Sequence, residues 1–166
     1  MSKNSLIINL GTSHVTFFHY ENKKGTVLKK ISLNEIHGDL NSDDNWFREI
    51  DRILQSVSLK GIPKTNAKII LPSSKLLTKT LRVPKVEQEK QRKVVSFELS
   101  QKLPFPLESL IWDFQVIDDD GIEQEIICIA IKPDIISNIC RILYSKKIIP
   151  SKINLSLILT IWKRTQ

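Results

Sequence analysis

Short apolar runs separated by polar turns alternate with stretches of helical spacing along the 166 residues of the chain. Three such runs open the sequence, at residues 6–10, 14–20 and 26–33, and their β-forming composition predicts a meander of three strands. The first run is apolar at every position except Asn9. This composition is typical of a strand that is buried on both faces.

A helix is predicted next, because Ser42 or Asp43 can cap its first turn and carboxylates there are favourable at the positive end of the helix dipole. Its apolar face recurs at spacings of four, three and four residues, at Trp46, Ile50, Ile53 and Val57. Gly61 and Pro63 end the helix, and residues 67–71 predict a short buried strand. Three strands, a helix and a strand, in that order, are typical of a ribonuclease-H-like unit.

A second group of elements begins with a predicted strand at residues 75–83. Pro84 can start a helix, since its missing N–H falls in the first turn, where donors have no helical partner. We expect the helix over residues 87–103, with a polar first half that faces water. Its second half carries an apolar stripe formed by Val94, Val95, Phe97, Leu99 and Leu103. Pro104 and Pro106 end it, because each disfavours the α conformation in the preceding residue.

The rest of the chain predicts two strands, at residues 110–117 and 125–131, joined by a polar turn. The second is nearly continuous isoleucine, cysteine and alanine, so we expect it at the centre of its sheet. A helix from Asp134 follows, and its buried face is formed by Ile135, Ile139, Ile142 and Leu143. The chain ends in an apolar tail at residues 155–162.

The second helix, its two prolines and the strand after them carry one ordered motif. Its residues are Glu98, Gln101, Leu103, Pro104 and Phe105, followed by Asp113, Phe114, Gln115 and Val116. The motif resembles the hallmark of PilM-type pilus assembly proteins, which are actin-like proteins of type IV pilus systems: a helix ending near E-x-x-Q-x-I-P-F and a D-Y-Q-V strand. Residues 8–13, 71–74 and 80–84 also resemble this family, in the right order.

The resemblance implies an α/β fold, the actin-like and ribonuclease-H-like first lobe with a mixed sheet and helices. Residues 1–74 would form the ribonuclease-H-like subdomain, residues 75–147 an inserted α+β subdomain, and residues 148–166 a return segment towards a second lobe, which we expect the chain to lack. In the family, a PilN-type inner-membrane protein docks its cytoplasmic tail between the first and the inserted subdomains. The implied partner-binding residues here are Leu71, Leu76, Leu77, Lys90, Arg92 and Lys93.

The resemblance also implies a nucleotide site, at which family members usually show Asp-Ile-Gly and a lysine on the following strand. Here Asn9-Leu10-Gly11 and Thr16 take those positions. Asparagine offers a neutral carbonyl where a divalent cation prefers a carboxylate, and Thr16 brings no positive charge. The residues Asn9, Gly11, Thr12 and Ser13 therefore form a degenerate phosphate loop or, more simply, an ordinary hairpin turn. We expect no cofactor, with ATP possible only in a full-length homologue.

Positive charge is concentrated in one segment. The chain has 25 Lys or Arg and 18 Asp or Glu, a net charge of +7, and residues 60–102 alone hold 11 basic and 3 acidic side chains. Such a patch suits a nucleic acid, an acidic protein or an anionic membrane, and also an ordinary solvated face. Phe97 is the only aromatic residue in the segment. Because nucleic-acid surfaces usually interleave aromatic and basic residues, we expect no nucleic-acid partner.

No arrangement of residues in the sequence predicts catalysis or a metal site. The three histidines lack a suitable spacing, the acidic run at residues 118–121 predicts a solvated turn, and Ser73-Ser74 lacks the glycines of a nucleophile elbow. Cys128 and Cys140 lie in apolar stretches, which indicates reduced core thiols and a reducing compartment. We therefore expect a protein that is not an enzyme and holds no metal.

No apolar run has the length of a signal peptide or a membrane helix, so a soluble cytoplasmic chain is expected. The leading hypothesis is a scaffold of type IV pilus assembly, peripheral to the inner face of the inner membrane. The alternatives are the cytoplasmic domain of an L-type type II secretion protein and a nucleotide-binding actin-like ATPase fragment. The tail places six large apolar residues within eight positions, so it either folds back on its own subdomain or pairs with a second copy, and the second outcome, a homo-oligomer, is favoured.

Overall fold

The computed structural model describes residues 4–21, 24–33 and 43–155. The chain divides into two compact units: Met1–Ser74 with Ile136–Gln166 is the first unit, and Lys75–Ile135 is the second. The strands of the described residues are β1 (Ser5–Leu10), β2 (His14–Glu21), β3 (Lys24–Ser32), β4 (Thr65–Leu71), β5 (Leu77–Pro84), β6 (Ile111–Asp119), β7 (Glu123–Ile131) and β8 (Ile149–Leu155). The α-helices of the described residues are α1 (Asp43–Ser56), α2 (Gln88–Ser100) and α3 (Pro133–Ser145).

A mixed five-stranded sheet forms the first unit, with the strand order β3-β2-β1-β4-β8. β1 pairs antiparallel with β2 and parallel with β4, and β4 pairs parallel with β8. The predicted order of three strands, a helix and a strand is confirmed. An ion pair of 3.3 Å between Asp51 and Lys146 joins α1 to the residue that follows α3, so the two helices lie close together.

On one face of this sheet, the three inner strands β2, β1 and β4 carry fully buried residues, which alternate along the strands as a pleated backbone requires. They are Leu6, Ile8, Leu10, Val15, Phe17, Ile69 and Leu71. On the other face of β1, Ile7 and Asn9 are only half-buried. The prediction that the first strand is buried on both faces is therefore confirmed for one face only, because Ile7 and Asn9 on the other face are half-buried.

The second unit is a three-stranded antiparallel sheet in the order β5-β7-β6, with α2 packed on one face. The apolar β7 lies at the centre, as predicted. The core between the sheet and α2 consists of Leu81, Val83, Val95, Leu99, Leu107, Ile126 and Cys128. At the turn from β6 to β7, Gly121 has a φ of +93°, a left-handed conformation that glycine adopts at little cost.

Helix α2 differs from its prediction at two points. It ends at Ser100 instead of Leu103, because Pro104 has no N–H to donate to the Ser100 carbonyl and disfavours the α conformation at Leu103. Phe97 is 65% exposed and does not belong to the apolar stripe. Leu103 still packs against the core, from outside the helix.

Helix α3 lies mostly in the first unit, whereas the sequence placed it in the inserted subdomain up to residue 147. Its continuation, β8, pairs with β4 as the last strand of the first sheet. Since α3 leads directly into that strand, its buried residues Ile139, Ile142 and Leu143 contribute to the core of the first unit. Most of the apolar tail, from residue 156 onwards, lies outside the described residues, and so does the prediction of self-association that rests on it.

Candidate functional site

The candidate phosphate loop is a tight turn between β1 and β2. The Gly11 N–H donates to the His14 carbonyl at 2.9 Å, and the Leu33 N–H donates to the Ser13 carbonyl at 2.9 Å. The Gly11 carbonyl accepts a hydrogen bond of 2.9 Å from the indole Nε1 of Trp46 on α1. These backbone groups are used within the first unit, as in a structural hairpin turn.

The turn has no room for a side chain at position 11, which explains why this residue is glycine. A Cβ atom on residue 11 would lie 2.4 Å from the His14 carbonyl oxygen, well inside van der Waals contact. The side chains of Thr12 and Ser13 are exposed, and the Ser13 Oγ lies 2.8 Å from the His14 Nδ1. The glycine is therefore explained by the local backbone, without a ligand.

Asn9 is half-buried and has uncharged neighbours on both adjacent strands. Thr16 lies opposite it on β2, and Ile70 lies beside it on β4. Lys30 on β3 pairs with Thr16, so the nearest cation in this row is two strands away from Asn9, about 10 Å. A magnesium–phosphate site would need a carboxylate and a close cation here, and the row offers an amide, a hydroxyl and an alkyl group.

The six predicted partner-binding residues do not all reach the surface. Leu71 and Leu76 are buried, so their side chains serve packing instead of docking. Leu77 is half-buried at the start of β5. The exposed members are the three on α2, namely Lys90, Arg92 and Lys93.

Arg92 is engaged within the second unit. Its Nη1 lies 3.2 Å from the Asp113 carboxylate, and its Nη2 donates to the Trp112 carbonyl at 3.2 Å. The guanidinium lies 4.3 Å from the centre of the Trp112 ring, a cation–π geometry. Lys90 pairs with Glu87 at 2.8 Å, whereas Lys93 forms no ion pair among the described residues. Lys93 is therefore the cation on α2 that is most available to a partner.

The two units differ in charge. Lys75–Ile135 carries 9 Lys or Arg and 11 Asp or Glu, a net charge of −2, and the rest of the chain carries 16 and 7, a net charge of +9. The basic segment at residues 60–102 crosses this boundary, and acidic residues later in the second unit balance its second part. The excess positive charge belongs to the first unit.

A buried glutamine connects α2 to the acidic turn between β6 and β7. The Gln124 Oε1 accepts from the Gln91 Nε2 at 2.7 Å, and its Nε2 donates to Asp119 at 2.9 Å. Asp119 also accepts from the Gly121 N–H at 2.9 Å and lies 3.0 Å from the Lys85 Nζ. Hydrogen bonds from Gln124, Lys85 and Gly121 lower the pKa of Asp119 from 3.8 to about 2. The turn therefore holds this end of the second unit together, a role that the sequence analysis missed.

The described residues offer little for catalysis. Burial raises the pKa of the Cys128 thiol to about 11 and also raises that of Cys140, which opposes the reactive thiolate form. Within the described ranges, no three His, Cys, Asp or Glu side chains are grouped as a metal site would require. None of the described helices combines the length and the apolar content needed to cross a membrane.

No family model matches the sequence, and no curated protein does. Solved structures match its fold. A PilM–PilN type IV pilus biogenesis complex matches 95% of this chain and 49% of its own, with a TM-score of 0.63 and 14% identity. The cytoplasmic domain of EpsL, an inner membrane component of the type II secretion system of Vibrio cholerae, matches 92% of this chain and 57% of its own, with a TM-score of 0.56 and 8% identity.

A Bacteroides thetaiotaomicron protein with an actin-like ATPase fold also matches, over 92% of this chain and 51% of its own, with a TM-score of 0.52 and 11% identity. The chain thus spans about half the length of the solved structures it matches. At these identities the likeness concerns the fold alone. The predicted class is confirmed: a mixed α/β, actin-like fold that corresponds to a partial first lobe.

Proposed function

We propose that the chain is a non-enzymatic cytoplasmic scaffold of a type IV pilus system, which docks the cytoplasmic tail of a PilN-type protein at the inner face of the inner membrane. The observation that carries this proposal is the match to the PilM–PilN complex over 95% of the chain. That complex joins a protein of this fold to a partner in type IV pilus biogenesis. The ordered motif around Pro104 and Asp113 supports the same family.

The geometry of the β1–β2 turn favours docking over nucleotide chemistry. The Gly11 N–H and carbonyl are both used inside the first unit. Asn9 and Thr16 supply neither a carboxylate for a metal nor a cation for a phosphate. A scaffold needs none of these groups, so their absence from the turn is compatible with the proposed role.

Helix α2 offers the best-placed residues for a docked tail. Lys90 and Lys93 are exposed, and Lys90 has only a surface ion pair with Glu87, which a partner can replace at small cost. Arg92 is less free, because it is held by Asp113 and Trp112. An acidic or polar segment of the tail would pair with Lys90 and Lys93.

A second candidate is the cytoplasmic domain of an L-type type II secretion protein. The match to EpsL over 92% of the chain favours it. Both candidates place the chain beneath the inner membrane as a docking component, and they differ in the machine that it serves.

The test is a titration of the full chain with a synthetic peptide that has the sequence of the cytoplasmic tail of a PilN-type protein. We expect saturable binding by calorimetry, and we expect the double variant Lys90→Glu, Lys93→Glu to weaken it and to flatten its dependence on salt. Exposed ion pairs contribute about 0.2–1 kcal/mol each, so the loss in affinity should be several-fold.

The matched control carries the same charge reversal on the first unit, Lys24→Glu with Lys29→Glu, at two exposed positions of β3. It should leave the affinity for the tail unchanged. Equal losses in both double variants would mean that only net charge matters, and no binding of the tail would contradict the proposal. Duplex DNA binding at physiological salt, lost in the α2 variant, would instead favour a nucleic-acid partner.

A further inference from the structure

Within residues 4–21, 24–33 and 43–155, the two sheets have four edge strands, and three of them carry the residues that usually protect an edge. A free edge presents unpaired N–H and C=O groups, and natural proteins discourage pairing there most often with lysine or proline. The edge strands are β3 and β8 in the first unit and β5 and β6 in the second. The protecting residues are Lys24, Lys29 and Lys30 on β3, Pro150 and Lys152 on β8, and Lys79, Arg82 and Pro84 on β5.

The fourth edge strand, β6, is different. Its nine residues include no lysine, arginine or proline, although they include three aspartates and a β-bulge between Val116 and Asp118. Apolar side chains remain in water near both ends of the strand, since Ile111 is 52% and Ile117 is 40% exposed. Both lie on the sheet face opposite α2, where Gln115 is also exposed. A long edge of this kind is a template for another strand.

Hydrogen bonding identifies the backbone groups that β6 offers. Arg92 from α2 donates to the Trp112 carbonyl at 3.2 Å, so this carbonyl points away from β7. In an antiparallel ladder, alternate residues direct both backbone groups to the same side. Phe114 and Val116 therefore also direct their N–H and C=O groups outward, and the Arg92 side chain covers only the start of this edge.

The charges of β6 indicate what the incoming strand must carry. They are all acidic: Asp113, Asp118 and Asp119, in a unit with a net charge of −2. A second copy of this chain would bring like charges against each other, which disfavours cross-strand pairing. A segment with lysine or arginine at alternate positions would meet opposite charges instead.

We propose that the outer edge of β6 is a docking site for an extended basic segment of a partner protein, which adds a fourth strand to the sheet of the second unit. The segment pairs with the outward backbone groups of Phe114 and Val116 and displaces Arg92 from the Trp112 carbonyl. Its cations lie beside Asp113 and Asp118. The site lies on the edge of β6, shares Arg92 with α2, and does not include Lys90 or Lys93.

The test uses the full chain and a synthetic probe, an acetylated nine-residue peptide in which lysine alternates with valine or threonine. We expect binding by fluorescence anisotropy, and slower amide exchange at Phe114 and Val116 in the complex. Gln115→Lys should weaken binding about 2–5-fold, and Gln115→Glu should strengthen it by a similar factor. Arg92→Ala should strengthen it too, because it frees the Trp112 carbonyl and Asp113.

Thr80→Lys is the matched control. Thr80 is exposed and lies in the same row as Gln115, across Ile127, on the opposite edge of the sheet. The substitution adds the same charge to the second unit, and it should leave the affinity for the peptide nearly unchanged. Equal weakening by Thr80→Lys and Gln115→Lys would mean that binding is diffuse electrostatics, which overturns the proposal.

Two further peptides distinguish backbone pairing with β6 from non-specific binding to the surface. N-methylation at odd residues blocks one edge of an extended peptide, and N-methylation at even residues blocks the other. We expect one pattern to abolish binding and the other to preserve it, and equal binding of both would overturn the proposal. A dimer of the chain that Gln115→Lys dissociates, with no peptide binding, would assign the edge to a second copy and would also overturn it.

Discussion

At the scale of single residues, the turn between β1 and β2 depends on the close approach of Gly11 to the His14 carbonyl. We predict that Gly11→Ala destabilises the first unit by about 1–3 kcal/mol, because the new Cβ would lie 2.4 Å from that backbone oxygen. Urea denaturation would measure the change.

Gly25→Ala is the control for this prediction. A Cβ on residue 25 would lie 3.6 Å from the Tyr20 Cδ2, an ordinary contact, so the change should stay within about 0.5 kcal/mol. If Gly11→Ala lowered the stability no more than Gly25→Ala does, steric crowding by the His14 carbonyl would not explain the glycine at position 11. A role of this glycine in binding a ligand would then be supported.

Asp119 makes the stability of the second unit depend on pH. Its pKa is about 2 in the folded chain, against 3.8 as the ordinary value. A lowered folded-state pKa stabilises the fold above 3.8, and this stabilisation is lost as the pH falls from 3.8 to about 2. Asp119→Asn should therefore be less stable than the wild type at pH 7, and the difference should narrow below pH 4. A difference that stays constant from pH 7 to pH 2 would contradict this assignment.

Among the elements, α2 has one buried face and one exposed face, represented by Leu99 and Phe97. We predict that Leu99→Ala costs about 2–5 kcal/mol, because Leu99 lies in the core against β5 and β7. Phe97→Ala should change stability by less than about 0.5 kcal/mol, since Phe97 is 65% exposed. Thermal unfolding of both variants would measure the two changes in stability. A large loss for Phe97→Ala would mean that this ring is covered in solution.

Local patterns were sufficient to predict most elements. The β-forming composition of the first three runs, the spacing of Trp46, Ile50 and Ile53, and the apolar β7 are each patterns within a few residues. The error at Phe97 was also local. Phe97 lies two residues from both Val95 and Leu99, which is about 200° around the helix. It therefore lies on the opposite side of the helix from this buried pair.

The assignments that failed depend on contacts between distant segments. Nothing around α3 indicates which core its apolar face will join, because that depends on the pairing of β8 with β4. The bonds from Arg92 to Trp112 and from Gln91 to Gln124 join residues 20 and 33 positions apart, and no periodic pattern reports such pairs. For the β1–β2 turn, the sequence indicated an ordinary hairpin as the simpler interpretation, and the bonds of Gly11 support that interpretation.

At the scale of the whole molecule, the chain combines a basic first unit with a weakly acidic second unit on an actin-like fold. The net charge of +7 is therefore not a property of one surface. Charge reversals on α2 and on β3 change the net charge equally but on different units. They therefore form a matched pair in the docking test, which separates the effect of α2 from that of net charge. We expect a partner that binds through α2 to be insensitive to the charge of β3.

We propose that this fold acts here by docking and not through nucleotide. Calorimetry of Mg-ATP with the full chain at sub-millimolar concentration can separate the two modes of action. We predict no magnesium-dependent heat for the wild type or for Asn9→Asp, because Thr16 still supplies no cation and the Gly11 backbone is already bonded. A saturable, magnesium-dependent heat in the wild type would contradict the account.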